Sequence, residues 1–314
     1  MNDIMIGVSS CLLGEKVRFD AQHKRHWYIN EILGKYFKYV PVCPELEVGM
    51  GVPRKSVRLV GDIHQPSMIE PRSGEDWTSA MNTYSKKRVQ KLHGLSGYLF
   101  KKGSPSCGAF RVKVYQEKTG IPLPDGMGLF SKEFQKQWPL IPIEEEGRLN
   151  DYKIRENFIE RVFGYHRLQE LCGQRFKRGD WVDFHQNNKY LLLARGRGLY
   201  TELGHLVAKI ADYKSKDFIE EYSELYMTAL SIKTTTRKNT DALLHILGFF
   251  KKFLSKEEKQ SVLEVIEYYH QGVHPLIVPM TLLQHYAKLH NVAYIKNQYY
   301  LNPHPTDLSL RNHV

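Results

Sequence analysis

The sequence predicts an α/β domain with a mostly parallel, Rossmann-like sheet, followed by an all-α domain. Three observations carry this. Up to about residue 143, short apolar runs bounded by Gly and Pro alternate with segments of helical periodicity, which is the alternation of a parallel sheet. Glu144-Glu-Glu-Gly-Arg-Leu-Asn150 then breaks the pattern, and only helical periodicity of comparable strength follows. Third, Cys11, Cys43 and Cys107 each close a strand-like run. Carboxyl ends of neighbouring parallel strands face one crevice, where open α/β sheets place ligands. The 314 residues are comfortable for two domains, set here at 1–147 and 148–314.

Taken in order, Ile4 to Ser9 reads as a buried strand. Trp27 to Phe37 has apolar residues at helical spacing, and Tyr39 to Val42 reads as the second strand. A Gly/Pro-rich loop runs from Cys43 to Arg54, and Val57–Val60 with Met68–Ile69 suggests a short hairpin. Trp77 to Leu92 predicts a helix ending before Gly94. Tyr98 to Phe100 is the third strand, running into Lys101-Lys-Gly-Ser-Pro-Ser-Cys-Gly108. Arg111 to Tyr115 alternates and is expected half-buried. Gly120 to Leu129, with Pro122 and Pro124, is expected to be a mobile surface loop. Phe130 to Trp138 predicts a helix and Pro139 to Ile143 a last strand. Behind the acidic break, helices are predicted around Ile154–Phe163, Tyr190–Ala194, Tyr200–Ile210, Phe218–Leu230, Leu243–Leu254 and Leu276–Leu289. Ser255-Lys-Glu-Glu258 is a capping box opening a further helix through Tyr269.

Composition excludes several classes. No run approaches the ~18 apolar residues of a membrane span, and the N-terminus lacks the basic start and cleavage site of a signal peptide, so a cytoplasmic address is expected. In that compartment four widely spaced cysteines are not a disulfide framework. The net charge of +11 fits either a plain basic surface or a phosphate-bearing partner such as a nucleotide or RNA. Lys86-Lys-Arg88, Lys101-Lys102 and Arg175-Phe-Lys-Arg178 are local basic clusters, none matching a nucleic-acid motif.

The chemistry concentrates at the strand ends. A lone cysteine is most often a buried core thiol. Three in equivalent loops, flanked by Ser, Pro or Gly, can instead ligate metal through thiolates. Three protein ligands leave an open position, which zinc or an iron–sulfur cluster with one free iron would satisfy. Glu45, two residues after Cys43, is placed to act as a general base on water, or else to cap loop N–H groups. Ser104, three before Cys107, can meet substrate or water, or serve as a turn serine. Ser10 is a weaker candidate of the same kind. Arg18 and Arg54 are candidate partners for a phosphate or carboxylate, with a surface ion pair as the alternative. Cys172 lies on an apparent apolar helical face and is expected to be core or incidental. His270 and His274 are separated by Gly272 and followed by Pro275, so they are not expected to share a helix face as ligands.

The stretches Val8-Ser-Ser-Cys-Leu-Leu-Gly14, Cys43-Pro-Glu45 through Gly51-Val-Pro-Arg54, and Ser104-Pro-Ser-Cys-Gly108, in this order, resemble the signature loops of the thiouracil desulfidases, or TudS-like proteins, over about residues 4–145. Leu243-Leu-His-Ile-Leu-Gly-Phe-Phe, Pro275-Leu-Ile-Val-Pro-Met and Gln298-Tyr-Tyr-Leu-Asn-Pro resemble the YbgA-like domain of unknown function often fused behind them. The resemblance implies a 4Fe–4S cluster on Cys11, Cys43 and Cys107. A free fourth iron would bind the sulfur of a thiolated uracil base or nucleotide, and water would replace it without redox change. It also implies that Glu45 and Ser104 handle water and protons. Phe19-Asp-Ala21 departs from the family's frequent Tyr-Asp-Gly, which touches the loop and not the ligands. The competing reading is a basic RNA- or partner-binding protein whose cysteine site is structural or vestigial.

Overall fold

The first half builds β1 (Ile4–Ser9), β2 (Phe37–Val42), α1 (Pro44–Glu47), β3 (Arg58–Val60), β4 (Ser67–Ile69), α2 (Thr78–Gln90), β5 (Gly97–Phe100), β6 (Val112–Tyr115), β7 (Pro122–Gly126), α3 (Leu129–Gln137) and β8 (Ile143–Glu145). These belong to a computed structural model that describes residues 3–305, 308 and 310–313. The chain divides into two compact units, Met1–Asp151 and Tyr152–Val314.

The main sheet of the first unit has the order β2-β1-β5-β8 and is parallel throughout. In register, Ser9 faces Val42 and Val8 faces Leu99, so three strands end side by side. Burial is almost continuous along β1 and β5, as strands covered on both faces require. Tyr98 and Phe100, two residues apart, point to the same face and stack at 4.0 Å, with Phe130 and Phe134 of α3 packed on them. Gly7 makes room for this cluster, since a Cβ there would stand 2.2 Å from the Tyr98 ring. A second sheet, β4-β3-β6-β7, carries its own apolar core of Leu59, Met68, Met81, Val112, Val114 and Leu129.

Several sequence expectations shift. The stretch 28–35 forms two short helical turns, and Phe37 already pairs with Ile4, so sheet pairing takes residues that periodicity assigned to a helix. The expected mobile loop 120–129 contains β7, an exposed edge strand. Proline is tolerated there because one side of an edge strand needs no N–H donors. The last strand does not span 139–143. It begins at Ile143 and runs through Glu144 and Glu145, the residues read as a break, which are buried. Their charges have local partners: Glu145 accepts from the N–H groups of Ala109 (2.8 Å) and Phe110 (3.1 Å), and Glu144 accepts from Arg148 Nε (2.6 Å). Polar satisfaction thus lets an acidic segment enter a sheet.

The second unit consists of α4 (Tyr152–Cys172), α5 (Arg178–Leu193), α6 (Arg197–Ala208), α7 (Ser215–Ser231), α8 (Thr236–Leu247), α9 (Lys256–His270), α10 (Ile277–Leu289) and α11 (Ala293–Lys296), with no strand among its described residues. Ser255 and Glu258 form the capping box that the sequence predicts, opening α9. The core centres on aromatic rings of α5 and α7, Trp181 meeting Phe218 and Tyr222 edge-on at 5.3 Å. Beside it, Glu160 bridges the buried Arg195 and Arg311, and Arg311 Nε also donates to Glu156 at 3.2 Å. Cys172 ends α4 exposed rather than in a core. His270 contacts Thr240 at 3.2 Å and His274 lies edge-on to Tyr268, so neither faces the other as a ligand pair. No helix is long and apolar enough to cross a membrane among the described residues.

Candidate active site at the carboxyl ends of three strands

Each strand hands its last residue to a loop that fixes one cysteine. After β1 the chain turns through Ser10–Leu13, and the Cys11 carbonyl accepts from Gly14 (3.4 Å) and Lys24 (2.9 Å). After β2, Cys43 precedes α1, whose Pro44 suits a first helical position because no N–H is needed there. Glu47 closes this turn twice, its N–H donating to the Cys43 carbonyl (2.9 Å) and its carboxylate accepting from the Cys43 N–H (3.1 Å). After β5, the Ser104 hydroxyl accepts from the N–H groups of Ser106 (3.3 Å) and Cys107 (3.1 Å). The Gly108 N–H donates to the Ser104 carbonyl at 2.8 Å, and the start of α3 donates to the Ser106 carbonyl through Phe130 (3.0 Å). A Cβ at Gly108 would meet that Ser104 oxygen at 2.8 Å, so the loop needs glycine there.

The three loops enclose one cavity of about 360 Å³. All eight residues singled out from the sequence line it: Ser10, Cys11, Arg18, Cys43, Glu45, Arg54, Ser104 and Cys107. The thiols share this space without closing on a point. Among the described residues, no three His, Cys, Asp or Glu side chains group closely enough to hold a single metal ion.

Glu45 is the hub of the polar network. Its Oε1 accepts from Ser106 Oγ at 2.7 Å and Ser104 Oγ at 3.2 Å, while its Oε2 accepts from Arg54 Nε at 3.1 Å and from Arg54 Nη2. This Arg54–carboxylate pair is two-pronged and its side chains are only 6% and 14% exposed. Arg54 Nη1 donates to the carbonyls of Val17 and Gly51, both at 3.0 Å. The guanidinium is therefore engaged on all three nitrogens. Arg54, a candidate partner for a phosphate or carboxylate with an ion pair as the alternative, has Glu45 and the loop backbone as its observed partners. Arg18 pairs with Asp20 (3.2 Å) and remains at the cavity wall.

Two residues of the network were not singled out from the sequence. Ser106 bridges Glu45 to the Cys107 sulfur, which it approaches at 3.7 Å. The second serine of Ser104-Pro-Ser106 was its only signal. Lys101 was read only as part of a basic cluster. It pairs with Glu146, whose other oxygen accepts from the Lys102 N–H at 2.7 Å.

Burial sets the state of the thiols. It pushes Cys11 up to about 11, with the Lys101 charge acting against it and Cys43 adding to it. Cys107, fully enclosed, is raised further by burial and then by Cys43, and Cys43 is raised by burial as well. Cys43 is thus the electrostatic neighbour of both others. Cysteines used as nucleophiles carry depressed pKa values, and these are tuned the opposite way. Such thiols ionise when a cation binds and takes the proton's place.

Residues 6–146 match a family model described as 2-thiouracil desulfurase, and residues 189–305 match one described as a protein of unknown function (DUF1722). Over 165 residues the chain is 28% identical to the uncharacterized protein YbgA of Escherichia coli (strain K12), covering 52% of this chain and 98% of that protein. A solved structure of the 4Fe–4S-dependent thiouracil desulfidase TudS is 26% identical, with a TM-score of 0.38, covering 48% of this chain and 95% of that one. The match of residues 6–146 to the desulfurase model and of residues 189–305 to DUF1722 follows the order that the sequence resemblance implied.

Proposed function

We propose that this chain, with its 2-thiouracil desulfurase-type first half, removes sulfur from a thiolated uracil base or nucleotide by a non-redox reaction on a 4Fe–4S cluster. The observation that carries the reading is the meeting of Cys11, Cys43 and Cys107 in one cavity with the Glu45 network. The donor set fits the group. A cluster takes each thiolate on a different iron, so its ligands need not converge on one point, and three ligands leave one iron open. Lys101 and Arg18 line the same cavity, where their positive charges act against the burial that raises the Cys11 pKa and would offset part of the negative charge of a thiolate-bound cluster.

When bound, the cluster supplies a Lewis acid for the sulfur of the C=S bond. The chain's own residues do the rest. Glu45 accepts a proton from the attacking water, and Ser104 and Ser106 aim its Oε1. Arg54 is a positioning residue that fixes the other carboxylate oxygen and the 17–20 loop. The balance is closed: water's oxygen replaces sulfur at the ring carbon, C=S becomes C=O, sulfur leaves as hydrogen sulfide, and no electrons are transferred.

The test is anaerobic reconstitution with iron and sulfide, followed by sulfide release from 2-thiouracil and 4-thiouracil. Turnover with about four irons per chain is expected. A Cys43→Ser protein that keeps a full cluster would overturn the ligand set. Zinc without iron, together with a salt-dependent affinity for RNA, would favour the binding-protein reading that the net charge of +11 also fits.

A further inference from the structure

The wall of the cavity is made of thiols, hydroxyls, charged groups, valines, prolines and a glycine, with one aromatic residue, Phe19. Phe19 is 42% exposed, although the chain buries most of its phenylalanines. Its place is fixed rather than incidental. The Arg54 N–H donates to the Phe19 carbonyl at 3.0 Å, and Arg54 Nη1 donates to the Val17 carbonyl two residues earlier. The same arginine holds Glu45 through its side chain, so one residue ties the backbone that carries Phe19 to the carboxylate. Arg18 lies over the Phe19 ring at 5.4 Å and is itself oriented by Asp20. A planar ring held at the edge of a polar cavity, with a cation on one face, offers a π-surface to a planar ligand.

We propose that Phe19 is the specificity-determining platform of this site, stacking on the pyrimidine ring so that the ring's sulfur-bearing edge points toward Cys11, Cys43 and Cys107. The assignment rests on the desulfidase reading for what the ring carries, and on the cavity alone for the presence of a planar ring. Phe19 touches the substrate without handling protons, so its loss should weaken binding and spare the chemical step. Stacking of a base on an aromatic side chain is worth about 1–3 kcal/mol, or roughly 5- to 150-fold in affinity.

The experiment uses the full chain loaded with its cluster and two readouts: KM and kcat for sulfide release from 2-thiouracil and 4-thiouracil, and the dissociation constant of uracil, the desulfurised product, by calorimetric titration. Phe19→Ala is expected to raise KM and the uracil dissociation constant together by about tenfold, with kcat within about twofold. Phe19→Leu, which keeps apolar bulk and removes the π-face, guards against a folding defect and should behave like Phe19→Ala. Phe19→Tyr and Phe19→Trp should bind as the wild type does. Unchanged KM and uracil affinity in Phe19→Ala and Phe19→Leu would overturn the platform, as would a wild type that binds no uracil. If the wild type binds uracil through Phe19 yet releases no sulfide, the platform stands and the desulfidase reading falls.

Discussion

Glu45 and Arg54 show how far a single pair decides the site. The carboxylate accepts two serine hydroxyls on one oxygen and the guanidinium on the other, which holds it in one rotamer facing the thiols. Glu45→Gln keeps the shape and removes the base. Sulfide release is expected to fall about 10²-fold or more with iron content per chain unchanged, a result that separates a role in proton transfer from one in cluster binding. Arg54→Met leaves Glu45 charged in a mostly enclosed place, and breaking such a pair by removing one partner costs about 3 kcal/mol. The urea midpoint of the metal-free protein should drop accordingly. Arg54→Lys should recover little of it, because an ammonium cannot form the two-pronged contact and reach the Val17 carbonyl at once. From the sequence Arg54 was legible as a residue of the site. Its role was not, because nothing in the spacing says which acceptors surround a guanidinium.

At the scale of elements, acidic residues enter structured places that local pattern assigns to solvent. β8 ends on Glu145, which is 1% exposed and accepts two N–H groups of the loop after Cys107. Burial raises its pKa and these bonds act against the rise. Glu145→Ala would leave two enclosed donors without an acceptor, at about 1–3 kcal/mol each, and a lower thermal midpoint is the expected readout. In the helical unit, α4 places Glu156 and Glu160 one turn apart around Arg311. Burial and then the Glu160 charge push Glu156 up to about 7. Burial acts on Glu160 too, but the flanking Arg311 and Arg195 outweigh it and hold Glu160 at about 2. The two carboxylates therefore act on stability in opposite directions. Folded Glu156 binds its proton more tightly than the unfolded chain does, so its contribution is complete below the ordinary 4.5 and fades as pH rises to about 7. The Glu160 contribution is present above the ordinary 4.5 and is lost as pH falls toward about 2. Between pH 5 and pH 8 the wild type should lose stability relative to Glu156→Gln, read from urea midpoints at both pH values.

Across the whole molecule, the site depends on strand order. β1 lies between β2 and β5, so loops about 30 and 60 residues apart in sequence become neighbours at one edge of the sheet. If the three thiols act as one site, Cys11→Ser, Cys43→Ser and Cys107→Ser should each lower the iron retained after anaerobic reconstitution to a similar extent, whichever strand is altered. A variant that kept its full iron would remove that cysteine from the ligand set.

The sequence by itself determined the two-part organisation, most strands and helices, the capping box at Ser255 and eight of the residues that line the cavity. Those features are written in local periodicity, in Gly and Pro punctuation and in the position of each cysteine after a strand, and local chemistry is enough to produce them. Only the tertiary structure decided which strands are adjacent, that residues 28–35 form short turns, that residues 122–126 pair as an edge strand, and that Glu144 and Glu145 are buried. The same holds for Arg54, whose guanidinium is turned toward Glu45, for Ser106, which joins Glu45 to Cys107, and for Phe19 at the cavity wall. The physical reason is common to all of them. A hydrogen bond or ion pair between residues nine to sixty-one apart depends on where the chain returns, and that is set by how the sheets and helices pack.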